Sequence, residues 1–189
     1  MITTTHPSVH PVDCVACRCD EEPGLAWPLR SLLCELADVV GQLGDADYVR
    51  KPVGVIPGSV GGHVRHCLDH VTALLVAVAT GQLDYDTRAR GTPVETNRAA
   101  AIRALREAEA ELNRLDPEHA AHPIRLCVLM AAGANPVEVD TSIGRELAYV
   151  LSHTIHHNAI VGAMVKTLGG SPPQRFGYAP STVRHAEGR

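Results

Sequence analysis

Leu151-Ser-His-Thr-Ile-His-His157 lies in a long apolar stretch that Thr141 or Ser142 can cap and that Gly169-Gly170 closes, so its spacing predicts a helix. On that helix His153 and His157 share a face one turn apart, close enough for two imidazoles to hold one ion. Arg145 and Tyr149 precede His153 at steps of four and can present a cation and a phenol on the same side. Working outward, Gly62-His-Val-Arg-His-Cys-Leu-Asp-His70 carries a second group, His63, His66 and His70, at spacings of three and four. These open a predicted helix to Thr80 with Leu68, Val71, Leu75 and Val78 on its apolar side and Gly81 at its end. A histidine on an apolar helix is more often a hydrogen-bonded core or surface residue than a ligand. Two stripes bordering faces that must meet in a common core shift that balance, and any of the three upstream histidines can supply a third nitrogen. No Glu follows His153, so the H-E-x-x-H pattern of zinc proteases is absent.

Around these two helices the periodicity predicts two more. One runs from about Leu25 to Leu43, with Leu29, Leu32, Leu33, Leu36 and Val40 at helical spacing; the other from Thr96, read as its N-cap, to Leu115. Lys51 to Gly62 is rich in Pro and Gly and reads as a loop, as does Gln82 to Thr96 with its charged stretch Asp84-Tyr-Asp-Thr-Arg-Ala-Arg90. Tyr85, Arg88 and Arg90 of that loop can reach over the mouth of a site. Apolar runs at Ile124 to Ala131 and Val137 to Val139, split by Gly133-Ala-Asn-Pro136, fit a small β-hairpin, and the tail after Phe176 reads as irregular. The expected fold class is all-α: an antiparallel four-helix bundle over residues 25–185, behind an irregular extension over residues 1–24.

Composition narrows the function. The 189 residues include one Trp and one Phe, so Leu, Val, Ala and Ile must fill the core, a palette suited to helices. A formal net charge of -4 with no Lys or Arg run argues against nucleic acid. The longest apolar stretch, Val71 to Thr80, is too short for a bilayer, and Met1 to His10 lacks a signal core; the expectation is a cytoplasmic protein. Six Cys without an export signal are expected as reduced thiols. Cys14, Cys17 and Cys19, downstream of His6 and His10, offer a C-x-x-C pair that can hold a second zinc, although no second C-x-x-C exists. Cys67 reads as a small buried residue.

Gly61-Gly-His-Val-Arg-His-Cys-Leu-Asp-His70, Asp84 to Arg90 with Glu95-Thr96, Gly144-Arg-Glu-Leu147, Leu151 to His157 and Phe176-Gly-Tyr-Ala-Pro-Ser-Thr182 occur in this order, and together they resemble the DinB-like superfamily, in particular an uncharacterised bacterial branch. The resemblance covers roughly Leu25 to Arg184. It implies a four-helix bundle with one divalent ion (zinc, nickel, iron or manganese) on His66, His153 and His157; His66 is preferred to His63 because Asp69 follows it by three. It makes His156 and His70 candidates beside the ligands or the substrate. It implies a small-molecule substrate, and relatives that are thiol transferases suggest a low-molecular-weight thiol joined to an electrophile. On that reading His156, Arg145 and Tyr149 are the catalytic candidates, and Tyr85, Arg88, Arg90 and His70 the substrate-binding ones. A hydrolase, lyase or isomerase would use the same residues, and a non-catalytic metal-binding or stress protein would need only the ligands. Homodimerisation through helix faces is compatible with such a bundle.

Overall fold

The structure is a computed structural model and describes residues 24–54, 57–87 and 91–188. The chain is mostly helical with a small three-stranded sheet. Helix α1 (Trp27–Gly41) and the short α2 (Asp45–Val49) lead to α3 (Val60–Thr80), β1 (Gln82–Asp84), α4 (Pro93–Thr96) and α5 (Arg98–Leu112). A 3-10 turn at Pro117–Ala121 precedes β2 (Pro123–Val128) and β3 (Val137–Ser142), and α6 (Ile143–Thr167) and α7 (Pro180–Ala186) complete the chain.

The four long helices enclose one core. α3 packs along α5 and α6, and α1 along the same two helices. Leu29, Leu33 and Leu36 of α1 meet Val64, Val71 and Leu74 of α3, Leu105 and Leu112 of α5, and Val150, Val161 and Met164 of α6, all within one buried cluster. Removing each of these aliphatic side chains from water contributes about 1.5–3 kcal/mol, which makes this face of each helix the main reason it forms.

Local chemistry sets the helix ends. The Ser59 hydroxyl accepts from the Gly62 N–H at 3.1 Å and starts α3, and Gly81, at φ 72°, ends it. At Gly61 a side chain would run into the backbone carbonyl of Glu95 and the ring of Tyr48, so α3 and α4 touch backbone to backbone. The Tyr48 hydroxyl donates to the Val94 carbonyl at 2.7 Å in the same corner. The glycine pair that reads as loop in sequence is therefore the start of a helix, and Gly61 is the one of the two that close approach requires.

Several expectations change. The segment after α3 is not all loop: Gln82, Leu83 and Asp84 pair in parallel with Arg125, Leu126 and Cys127, and β2 pairs antiparallel with β3 as the hairpin expectation has it. Three residues are too few for period-two patterning to betray a strand. Thr96 ends α4 rather than capping the next helix; Asn97 does that, accepting from the Ala100 N–H at 2.9 Å. The tail is not wholly irregular, since Pro180 opens α7. Cys34 is disulfide-bonded, against the expectation of reduced thiols, while Cys67 and Cys127 are free. The expected extension with Cys14, Cys17 and Cys19, together with Arg88 and Arg90, lies outside the described residues.

Behind the outer side of α6 the tail folds back. Phe176 is buried against Gly162, and Gly177, at φ 75°, presses its backbone onto that of Asn158 and Ala159. No helix among the described residues is long and apolar enough to cross a membrane.

Candidate metal centre between α3 and α6

The first half of α3 and the middle of α6 lie side by side and bring the two histidine groups together. His66 Nε2 stands 3.0 Å from His153 Nε2. Nitrogens at that distance either share a proton or face a common cation, because neighbouring ligands each about 2.0–2.1 Å from an ion stand roughly 3 Å apart. His70 is buried, and its Nδ1 lies 3.0 Å from the carbonyl oxygen of His66. A carbonyl can only accept, so Nδ1 carries the proton and a neutral ring keeps its lone pair on Nε2. A backbone carbonyl that holds the second ring N–H is how metal-ligating histidines are commonly oriented. The ligand nitrogens of His66, His70 and His153 all lie within 4.8 Å of one another, so these three can hold a metal ion.

His157 adjoins the same cluster one turn along α6. Its ring centroid is 4.7 Å from that of His66 and 4.6 Å from that of His153, and its Nδ1 is 2.9 Å from His63 Nδ1. Burial, then the neighbouring His153, His66, His63 and His156, push its pKa down to about 3. Burial and His156 lower that of His63 as well.

Beside the imidazoles sits an acid in the first turn of α6. Glu146 is fully buried, and Ser142 caps α6 without it, accepting from the Arg145 N–H at 3.3 Å. The carboxylate of Glu146 accepts from the hydroxyls of Thr141 at 2.7 Å and Tyr85 at 3.0 Å and from the Arg145 guanidinium at 2.9 Å. Three donors compensate a charge that would be costly to bury alone. Tyr85 in turn stacks on His70 with centroids 4.9 Å apart, so Glu146 fixes a phenol against the imidazole cluster. Burial and the Glu146 charge raise the Tyr85 pKa well above its ordinary range and keep it a neutral donor. A signal for Glu146 was present: it sits three residues after Ile143 and four before Val150, an acid inside the apolar stripe of α6.

No family model matches the chain. Over 104 residues, 54% of this chain, it is 35% identical to FK506-binding protein 5 of Rhizopus delemar, and the match covers 27% of that protein. The chain thus spans about a quarter of the length of this relative. Its shape matches the crystal structure of a DinB-like protein from Bacillus subtilis with a TM-score of 0.59 over 80% of this chain and 97% of that one, at 16% identity. The fold is DinB-like.

Within the DinB-like fold the other candidate residues take distinct places. Tyr149 stacks beside His153 at 5.8 Å and is partly exposed, and the Arg145 guanidinium stands 5.5 Å over the Tyr149 ring. His156 is exposed and meets the cluster through the edge of His157, 5.2 Å between centroids. Arg145 and Glu146 also form one wall of a groove of about 560 Å³ whose floor is Leu126, Val128, Met130 and Val139 of the sheet segment.

The depressed pKa of His157 fixes a pH dependence. The unfolded chain binds that proton near pH 6.5 and the folded chain only near pH 3, so between these values the unfolded state holds more protons. The stabilisation is complete above about pH 6.5 and is lost as pH falls toward 3, with His63 acting in the same sense. Metal-free protein is expected to melt at progressively lower temperature below about pH 6.5, and the slope should shrink in His157→Gln. A melting temperature that stays flat between about pH 7 and pH 5 would contradict this.

Proposed function

We propose that this chain is a metal-dependent enzyme that joins a low-molecular-weight thiol to an electrophile at a three-imidazole centre. The observation that carries the reading is the convergence of His66, His70 and His153; an open groove of a size that suits small molecules lies beyond Arg145 and Glu146, which line it. A divalent zinc, nickel, iron or manganese ion bound there would lower the pKa of a coordinated thiol and hold it as thiolate. His157 either replaces His70, giving the ligand set His66, His153 and His157, or stands as a neighbour. The chain's own residues do the rest: Tyr85, held by Glu146, offers a hydrogen bond beside the centre, Arg145 offers a cation, Tyr149 walls the approach, and His156 takes up the released proton from the solvent side. The four long helices are read as the antiparallel bundle of the superfamily, working in the cytoplasm on a small molecule. A hydrolase, lyase or isomerase would draw on the same groups.

The test is consumption of a panel of small thiols with an alkylating electrophile by metal-loaded protein, compared with His153→Ala. Faster loss of at least one thiol with the intact site supports the transferase, and equal rates throughout sink it. One observation favours a non-catalytic reading: His157 is near enough to His66 and His153 to supply a fourth nitrogen and close the shell. The absorption of cobalt-substituted protein with and without added thiol separates the two, because a closed four-imidazole shell would not change on thiol addition.

A further inference from the structure

The groove between the sheet and the start of α6 has a chemistry of its own that bears on the substrate. Its floor is apolar, from Leu126, Val128, Met130 and Val139, and its rim at the α6 end is Thr141, Arg145 and Glu146. Met130 and Val139 are 70% and 40% exposed, a cost in water that a bound apolar group would offset. Of the charged residues that line it, Asp140 accepts from Arg125 at 2.8 Å, and Glu146 is engaged by its three donors. Arg145 differs. Its guanidinium spends one N–H on Glu146, its side chain is 62% exposed, and a guanidinium has five N–H groups in a fork that matches a carboxylate. Arg145 is the one cation among the lining residues while Asp140 and Glu146 are acids, so a singly charged carboxylate on the guanidinium meets less repulsion from them than a dianionic phosphate would.

We propose that this groove binds a small carboxylate with an apolar arm, the arm lying on Leu126, Val128, Met130 and Val139 and the carboxylate on Arg145. The inference rests on the functional reading above and names a substrate class for it, because Arg145 and Glu146, at one end of the groove, are linked to the imidazoles through Tyr149 and Tyr85. Arg145 stands over Tyr149, which stacks beside His153, and Glu146 holds Tyr85, which stacks on His70. A functional group next to the carboxylate thus lies at the Arg145 end, on the side of Tyr149 and His153, while the arm runs away from the centre.

The full chain, metal-loaded and metal-free, would be titrated with octanoate, octanol, octylamine and acetate by calorimetry, with amide NMR shifts of β2 and β3 locating the contact. Octanoate is expected to bind at least tenfold more tightly than each of the others and to move the β2 and β3 signals. Arg145→Gln should erase the preference of octanoate over octanol, and Val139→Glu, at a partly exposed position that tolerates a polar side chain, should weaken octanoate at least tenfold. Equal affinity for octanoate, octanol and octylamine, an octanoate preference that survives Arg145→Gln, or no shift in β2 and β3 would each overturn the proposal. Metal stoichiometry measured on the same samples keeps the two readings apart: a chain that binds one ion but no octanoate loses the groove alone, and a chain that binds no ion loses the centre.

Discussion

Protein purified without added metal is expected to carry about one divalent ion per chain, and His66→Ala or His153→Ala to lose it. These two rings face each other at 3.0 Å, and both belong to the set His66, His70 and His153 and to the set His66, His153 and His157, so either substitution removes a nitrogen from both. The loss in affinity should exceed about 100-fold, the upper end of what removing a partner behind a ligand costs. His70→Ala and His157→Ala divide the remaining choice, because the one whose removal costs as much as His66 is the third ligand. Elemental mass spectrometry on the five proteins checks this. Full metal content in His66→Ala and His153→Ala would place the ion elsewhere.

Gly177→Ala is expected to destabilise the chain by about 2–5 kcal/mol although no atom of the core is removed. A methyl there would meet the backbone of Asn158 and Ala159 on α6 at a φ of 75° that favours glycine. Left-handed strain costs roughly 1–2 kcal/mol and overpacking roughly 1–3 kcal/mol. The neighbouring Phe176 seals the same side of α6 against Gly162, so relief by lifting the tail would expose that ring. Denaturant melts of wild type and Gly177→Ala measure the difference, and Gly188→Ala, at a φ of 71° with nothing nearby, isolates the part due to backbone conformation. Equal losses in the two variants would mean that the contact with α6 contributes nothing.

The helices that carry the centre were legible because their signal is periodic and long: two apolar stripes, each bordered by histidines. Which imidazoles meet across the interface was not, because that depends on how far one helix is rotated and shifted along the other. Those quantities are set by contacts distant in sequence, such as the abutment of Gly61 on Glu95. The resemblance points to His66, His153 and His157, and the geometry gathers His66, His153 and His70 most tightly with His157 alongside, so the sequence narrows the centre to a group rather than to a triad. Glu146 escaped because an acid three to four residues into a helix usually serves the N-terminus, and only the flanking Ile143 and Val150 mark it as inward. The strand at Gln82–Asp84 escaped because a parallel partner 43 residues away leaves no local trace.

The sheet also has a mechanical meaning. Its first strand leaves the end of α3 through Gly81, and its last strand runs without a break into α6 at Ser142. The three strands therefore strap the end of one ligand-bearing helix to the beginning of the other. Histidines at 63, 66 and 70 repeat at roughly one helical turn, so a slide of α3 by about 5.4 Å would offer His153 a different imidazole and yet another plausible-looking cage. The strap blocks that slip, because each step along the ladder would break its hydrogen bonds and turn Leu83 out of the core. Of several cages that the histidine ladder could build, it is the strands, which touch no metal, that choose one.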